Sequence, residues 1–327
     1  MKLITGGAGF IGSAICWQLN KLGIDEIIIV DTDQNGTKKN NLDNLKFKDF
    51  IDHKTFLDNI NSGKQKNYFD TVYHMGACSS TTENNMEYLM ENNVEYSKSL
   101  GKWCLSNGVK YIYASSGATY GNGELSFDDD VSLIPKLKPL NKYGLSKQLF
   151  DLWVIENKLD KKFVGLKYFN VFGPNENHKA DMRSMVNKAF HQINSTGKIK
   201  FFKSLKPEYK DGEQMRDFIY VKDAVEMTYF FDAESKGKDA TGIYNIGSGT
   251  AATWLQLADA IFKALDKKPE IEFIDMPDNI KEQYQYFSKA NIEKLKSAGY
   301  DSEIMSLENA VEDYVKNYLL VDGYLTP

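Results

Sequence analysis

The chain opens on a short apolar run, Lys2 to Thr5, followed by "GGAGFIG" and then "SAICWQLNKLG". In the last segment Ile15, Leu19 and Leu22 recur at helical spacing, and Gly23 is placed to stop the helix. "EIIIVD" follows as a second apolar strand ending on Asp31. Strand, glycine-rich turn, helix and strand in that order open a parallel α/β unit. The same alternation predicts strands at "TVYHMGA", "YIYASS", "FVGLKYFN", "DFIYVKD", "GIYNIGSG" and "EIEFID". Helices are predicted over 86–107, 140–158, 223–231 and 254–265, with one more at the end of the chain. Strands this continuously apolar belong to a sheet covered on both faces.

Character changes after Phe172, where 173–215 becomes polar and loop-rich. The expected architecture is α/β: a Rossmann-type doubly wound parallel sheet with a smaller C-terminal α/β substrate domain. Residues 1–172 plus about 216–246 are expected to form the dinucleotide-binding domain, the second stretch returning to the sheet. Residues 173–215 plus 247–327 are expected to form the substrate-binding domain.

Composition narrows the class. The 327 residues are 42% hydrophobic and carry a net charge of -5, with lysines interspersed among acids, so nothing marks a nucleic-acid footprint. No apolar run reaches the ~18–20 residues of a membrane span, and no leader peptide is expected at the start. Three cysteines without ligand spacing point to a reduced, cytoplasmic protein, and four histidines without an HxxxH pair argue against zinc.

The glycine turn reads Gly6-x-x-Gly9-x-x-Gly12. Glycines there let the backbone turn sharply, approach a pyrophosphate and pack the helix against the sheet. Asp31 is placed to hold ribose hydroxyls and favours NAD, whereas Lys38 could meet a 2′-phosphate or lie on the surface. "HMGACSS" supplies small residues that admit a cofactor; Cys78 reads as packing because no histidine partner stands near it in the sequence. Asn92 is placed either to bond a cofactor or to be an ordinary polar helix residue.

"YASSGATYG" sets Ser115 and Ser116 at a strand end, and "NKYGLSK" gives Tyr143-x-x-x-Lys147. Positions i and i+4 share a helix face. Lys147 is therefore expected to lower the phenol's pKa, so that Tyr143 takes a proton from a substrate hydroxyl while Ser116 polarises the oxygen. Arg216, in "MRDF", suits a pyrophosphate, or an ion pair with Asp217 or Asp223. Tyr284 suits stacking on a substrate or packing.

"TGGAGFIG", "YASS" and "YGLSK" resemble the extended short-chain dehydrogenase/reductase family, whose members act on nucleotide sugars. "GACSSTTE", "NKYGLSK", "YFNVFGPNENHK", "DGEQMRDFIYVKD" and "YQYF" sharpen the resemblance to members that invert C6 of an ADP-heptose, over residues 5–287. The resemblance implies a tightly held NADP, with NAD not excluded, self-association into a homo-oligomer, and a product used in lipopolysaccharide core. It implies cofactor contacts from Phe10, Ile11, Asp31, Thr32, Lys38 and His53. Further cofactor contacts would come from Met75, Gly76, Ala77, Cys78 and Ser79, and from Asn92, Lys147, Val171 and Lys179. It implies sugar-nucleotide contacts from Ser116, Asn170, Asp181 and His191, from Phe202, Lys203 and Ser204, and from Arg216 and Tyr284. Tyr143 and Lys179 would be the two acid/base residues. Some members carry Lys where this chain has His53 and an acid where it has Met75. A dehydratase on the same scaffold is expected to carry a carboxylic acid beside the serine strand; Gly117 and Ala118 stand there instead. A non-catalytic dinucleotide sensor need not keep Tyr143 and Lys147.

Overall fold

The computed structural model describes residues 1–32 and 36–327. Seven parallel strands make the main sheet: β1 (Lys2–Thr5), β2 (Ile27–Asp31), β3 (Asp49–Asp52), β4 (Thr71–His74), β5 (Lys110–Ser116), β6 (Val164–Tyr168) and β10 (Gly242–Ile246). Their spatial order is β10-β6-β5-β4-β1-β2-β3. Alternate residues of one strand feed opposite faces. Ile4, Ile29, Tyr73 and Ile112 enter one apolar cluster; Leu3, Ile28, Val72 and Tyr111 enter the other. That two-sided burial explains why these strands read as continuous apolar runs.

The order reverses between β1 and β4, and in such sheets ligands bind beyond the strand ends at the reversal. The glycine turn follows β1 there and leads into α1 (Phe10–Lys21). Helix α2 (His53–Asn61) follows β3, with the Asp52 side chain accepting from the Lys54 and Thr55 amides as its cap. The long helix predicted over 86–107 forms, but in three parts. Helix α3 (Met86–Leu89) passes through a wider π turn at Met90–Glu95 into α4 (Tyr96–Asn107). Helix α5 (Lys142–Glu156) is capped by Asn141, whose side chain accepts from the Gly144 amide.

Two departures from the sequence pattern matter for function. "FVGLKYFN" is not one strand: β6 ends at Tyr168, and β7 (Asn170–Phe172) leaves the main sheet. "DFIYVKD" forms β9 (Met215–Tyr220), but β9 does not return to the main sheet. The edge beside β6 is taken by β10, so β9 pairs instead with β7 and with β11 (Ala251–Thr253). A further pair, β8 (Ile199–Phe202) and β12 (Ile271–Ile274), lies outside both sheets. Helices α6 (Met185–Thr196), α7 (Val221–Phe230) and α8 (Trp254–Ala264) complete the framework, with Leu307–Tyr314 as the C-terminal helix. Among the described residues no helix is long and apolar enough to cross a membrane.

Candidate active site

Two adjoining clefts, of about 460 and 520 Å³, open at the reversal point of the sheet. They share a common wall that includes Phe10, Met75, Ala114 and Lys179.

The first cleft is lined by Gly6, Gly9, Phe10, Ile11 and Gly12, by Asp31, Thr32, Lys38 and His53, and by Met75 to Ser79, Asn92 and Lys179. Its glycines have separate reasons. Gly6 has φ +65, and a Cβ there would lie 2.6 Å from the Gly76 nitrogen; at Gly12 a Cβ would lie 2.1 Å from the Gly6 oxygen. Any larger residue would force the glycine turn away from the helix or from β4. Gly9 caps α1 without a side-chain hydrogen bond, leaving first-turn amides directed at the cleft. Two buried polar atoms on this wall, His53 Nδ1 and the Tyr96 hydroxyl, have no hydrogen-bond partner among the described residues. A close backbone approach, an uncapped helix start and orphaned polar atoms all fit a bound dinucleotide. Tyr96 was not legible in the sequence; only its place one turn beyond Asn92 hints at it.

Asp31 is more committed than its sequence position suggested. One oxygen accepts from the Ala8 amide at 2.9 Å; the other accepts from the Thr32 amide at 2.6 Å and pairs with the Lys38 ammonium at 2.7 Å. Lys38 is thus an ion-pair partner at the Asp31 end of the cleft and not a fully solvated lysine.

The second cleft gathers Ser116, Tyr143, Lys147, Asn170, Val171, Lys179, Arg216 and Tyr284. Lys147 is buried, and its ammonium donates to the Ala114 carbonyl at 2.9 Å. Burial lowers its pKa to about 8, against the pull of Asp151 and Cys78. The expected lowering of the Tyr143 pKa is not observed. Burial raises it, and the facing Ser116 hydroxyl opposes that rise, because a buried phenolate loses water that one hydroxyl cannot replace. The phenol therefore rests in its protonated form.

Asn93, next to the anticipated Asn92, does structural work that periodicity did not reveal. The π turn directs it inward, where it accepts from the Cys78 amide at 2.8 Å and donates to the Cys78 carbonyl at 3.0 Å and to Ser146 Oγ at 2.9 Å. It thereby ties the small-residue loop of the first cleft to the helix carrying Tyr143. Asn92 itself lines the first cleft and donates to the Tyr88 carbonyl.

The "NVFGPNENHK" loop faces that helix. Asn175 is buried at φ +75, donates to Ser13 Oγ at 3.0 Å, and accepts from the Leu325 amide at 3.1 Å. Glu176, also buried, accepts from the Ser184 amide at 2.5 Å and the Ser184 hydroxyl at 2.6 Å. These anchors hold Lys179 in the shared wall, its ammonium 5.3 Å from the Phe10 ring centre. Burial lowers the Lys179 pKa, and neighbouring Lys188 lowers it further, while Glu176 opposes both. His178 lines the first cleft beside Lys179, its ring held against the Asn41 side chain at 3.1 Å.

Arg216 makes no ion pair among the described residues: Asp217 accepts instead from the Ser248, Gly249 and Ala290 amides, and Asp223 from the Met305 amide. Its guanidinium lies 5.3 Å from the Tyr284 ring centre and 5.7 Å from that of Trp254. It donates to the Met215 and Gln285 carbonyls. Burial lowers its pKa to about 10, so it remains charged at neutral pH with no carboxylate beside it. Trp254, which donates to the Tyr284 hydroxyl at 2.9 Å, and the second guanidinium of Arg183 line the same cleft and were missed in the sequence.

Five anticipated residues do not line either cleft. His191 sits on the exposed side of α6, whose buried side is Val186, Asn187, Ala189, Phe190 and Ile193; it lines a separate small cavity with Asn177 and Asp322. Asp181 is exposed. Lys203 pairs outward with Asp275 at 2.9 Å, and the Ser204 amide donates to Asp211. Phe202 only backs the wall, its ring 6.4 Å from that of Tyr284.

A doubly wound parallel sheet with this glycine turn at its reversal point is the arrangement of dinucleotide-binding folds. The chain belongs to the NAD dependent epimerase/dehydratase family, whose model matches residues 2–247. It is 48% identical over 320 residues to an ADP-L-glycero-D-manno-heptose-6-epimerase of Nitratidesulfovibrio vulgaris strain DP4, with 98% of each chain covered. A protein of the same name from Fusobacterium nucleatum is 46% identical, covering 99% of this chain and 100% of its own. Among solved structures, a Helicobacter pylori ADP-L-glycero-D-manno-heptose-6-epimerase superposes with TM-score 0.79 at 27% identity, over 97% of this chain and 95% of that one.

Proposed function

We propose that this protein inverts C6 of ADP-D-glycero-β-D-manno-heptose to give the L-glycero form, through transient oxidation to a 6-ketone and re-reduction on the opposite face. The observation that carries this reading is the pair of proton-handling groups, Tyr143 and Lys179, in one cleft that shares a wall with the glycine-turn cleft. The names of the relatives point to the same substrate.

When bound, the dinucleotide supplies a nicotinamide that accepts a hydride and returns it. The glycine turn and α1 would hold its pyrophosphate, and Lys147 its nicotinamide half. For configuration to invert, the ketone must present its other face, so its oxygen occupies different places before and after. One side chain on a rigid helix serves one place; a group on the facing wall must serve the other. Ser116 steadies the oxygen near Tyr143. Lys179, with its amine moved toward neutrality by burial, takes the second place. Arg216, charged and free of carboxylates, is proposed for the pyrophosphate of the ADP group, with Tyr284 and Trp254 flanking it. Asn170 holds its amide nitrogen on the Asp217 carbonyl, which leaves its side-chain oxygen for the sugar.

NADP is the proposed cofactor. Asp31 already carries two amides and an ammonium, which spends the negative charge that would repel a 2′-phosphate. Lys38→Ala is expected to weaken NADP binding by tenfold or more, at about 1.4 kcal/mol per decade, with NAD affected far less. Titration calorimetry with each dinucleotide checks this; equal losses for both would remove Lys38 from the choice.

The function is tested by incubating the protein with ADP-heptose and following the C6 proton by NMR. Appearance of the second epimer, with a dinucleotide identified by mass in the purified protein, is the expected result. An unchanged sugar would overturn the epimerase reading. The same reading proposes the division into a dinucleotide-binding domain (1–172 plus about 216–246) and a substrate-binding domain (173–215 plus 247–327). It proposes a cytoplasmic homo-oligomer whose product enters lipopolysaccharide core.

A further inference from the structure

Behind the second cleft lies an ion pair with no exposure at either partner. Asp151 stands one turn beyond Lys147 on α5, and the Lys167 ammonium, from β6, lies 2.6 Å from its carboxylate. The carboxylate also accepts from Ser115 Oγ at 2.7 Å and from the Tyr113 hydroxyl at 3.0 Å. Lys167 donates further to Thr119 Oγ1 at 2.8 Å, in the turn that follows Ser116. Gly165 leaves the space this needs, since a Cβ there would lie 2.4 Å from the Tyr113 hydroxyl oxygen. A buried ion pair is a poor source of stability, because desolvating two charges offsets their attraction. This one instead joins α5, which carries Tyr143 and Lys147, through Ser115 to the end of β5, which carries Ser116.

We propose that Asp151, clamped by Lys167, is a positioning residue for the reaction: through Ser115 it fixes the strand end that carries Ser116 to the catalytic helix, and it sets a carboxylate one helical turn from Lys147. The proposal rests on the epimerase reading of this cleft.

The groups around Lys147 single out Asp151. On β4, His74 is held neutral, its pKa lowered to about 3 by burial. On the following loop, burial raises the Cys78 thiol, and on α5 it raises the Tyr143 phenol, so both stay protonated at neutral pH. From β6 comes Lys167, and from the facing wall Lys179, both amines and not carboxylates. Asp151 is therefore the carboxylate that opposes the burial of Lys147. Positions 143, 147 and 151 repeat every four residues, so all three share one helix face.

The test is the titration of Lys147 in the full chain, followed by NMR of lysine labelled with carbon-13 at Cε and assigned by loss of one signal in Lys147→Met. Asp151→Asn should lower the midpoint from about 8 by roughly one unit or more, the usual effect of a near opposite charge. Turnover at alkaline pH should fall on the order of tenfold, with KM and bound dinucleotide nearly unchanged. A folded Asp151→Asn with an unmoved midpoint overturns the proposal, even if it melts earlier, because that is what a purely structural role would give. If Asp151→Asn does not fold, Lys167→Met decides: removing the compensating ammonium should raise the midpoint, and an unchanged or lowered one overturns the proposal. The titration needs no substrate, so it stands apart from the epimerase reading. A native protein that fails to epimerise sinks that reading and still leaves the midpoint to be compared.

Discussion

Tyr143→Phe is expected to cut epimerisation by roughly 10²–10⁴-fold, the range for loss of a positioned acid/base group, while leaving the dinucleotide bound. The change removes one hydroxyl from the second cleft and keeps the ring. The first cleft is untouched, since Tyr143 does not line it. Asn141 still caps α5 through the Gly144 amide, and Ser146 still donates to the carbonyl of residue 143, so the helix keeps its start. Because burial keeps the phenol protonated, the native group begins as an acid, suited to delivering a proton to a ketone oxygen. In the proposed cycle the hydroxyl proton released in the oxidative half goes to the unprotonated Lys179 amine, and Ser116 hydrogen-bonds the phenolate left once Tyr143 has delivered its own proton to the ketone oxygen. Turnover followed by proton NMR, beside dinucleotide released on heating, separates the two effects. Near-native turnover would remove Tyr143 from the chemistry.

Lys179→Met is expected to be as damaging, by about 10²–10⁴-fold, and again without loss of the fold. Methionine keeps an unbranched chain against Phe10 and gives up only the amine. Glu176 would not be orphaned, because its carboxylate keeps the Ser184 amide and hydroxyl. Burial of the ammonium is itself unfavourable here, so removing it costs the fold little. The decisive measurement is turnover in both directions beside a thermal melt. An active Lys179→Met would leave this loop as architecture alone and require another group on the wall facing Tyr143.

The loop from Asn170 to Lys179 shows how far sequence reading reached. Its polarity and its place after an apolar strand suggested a site wall, and both of its ends do line the second cleft. Its middle has a different use. Asn175 and Glu176 fasten the loop to α1, to the C-terminal residues and to Ser184, and nothing local in the sequence distinguishes these anchors from ligand contacts. The same limit affected the five residues found outside the clefts. His191 is set by which face of α6 is apolar, and Lys203 by the strand that brings Asp275 beside it.

By itself the sequence determined the parallel α/β class, the glycine turn between β1 and α1, and the shared face of Tyr143 and Lys147. Each follows from a local rule: a two-sided apolar strand, a backbone approach only glycine allows, or a four-residue helical repeat. Only the tertiary structure decided which strands share a sheet, that Lys38 neutralises Asp31, that Asn93 and not Asn92 ties the clefts together, and that Arg216 lacks a carboxylate. It also decided that burial, and not Lys147, governs the Tyr143 phenol. These outcomes depend on packing between distant segments and on the water that packing excludes. Spacing along the chain records neither.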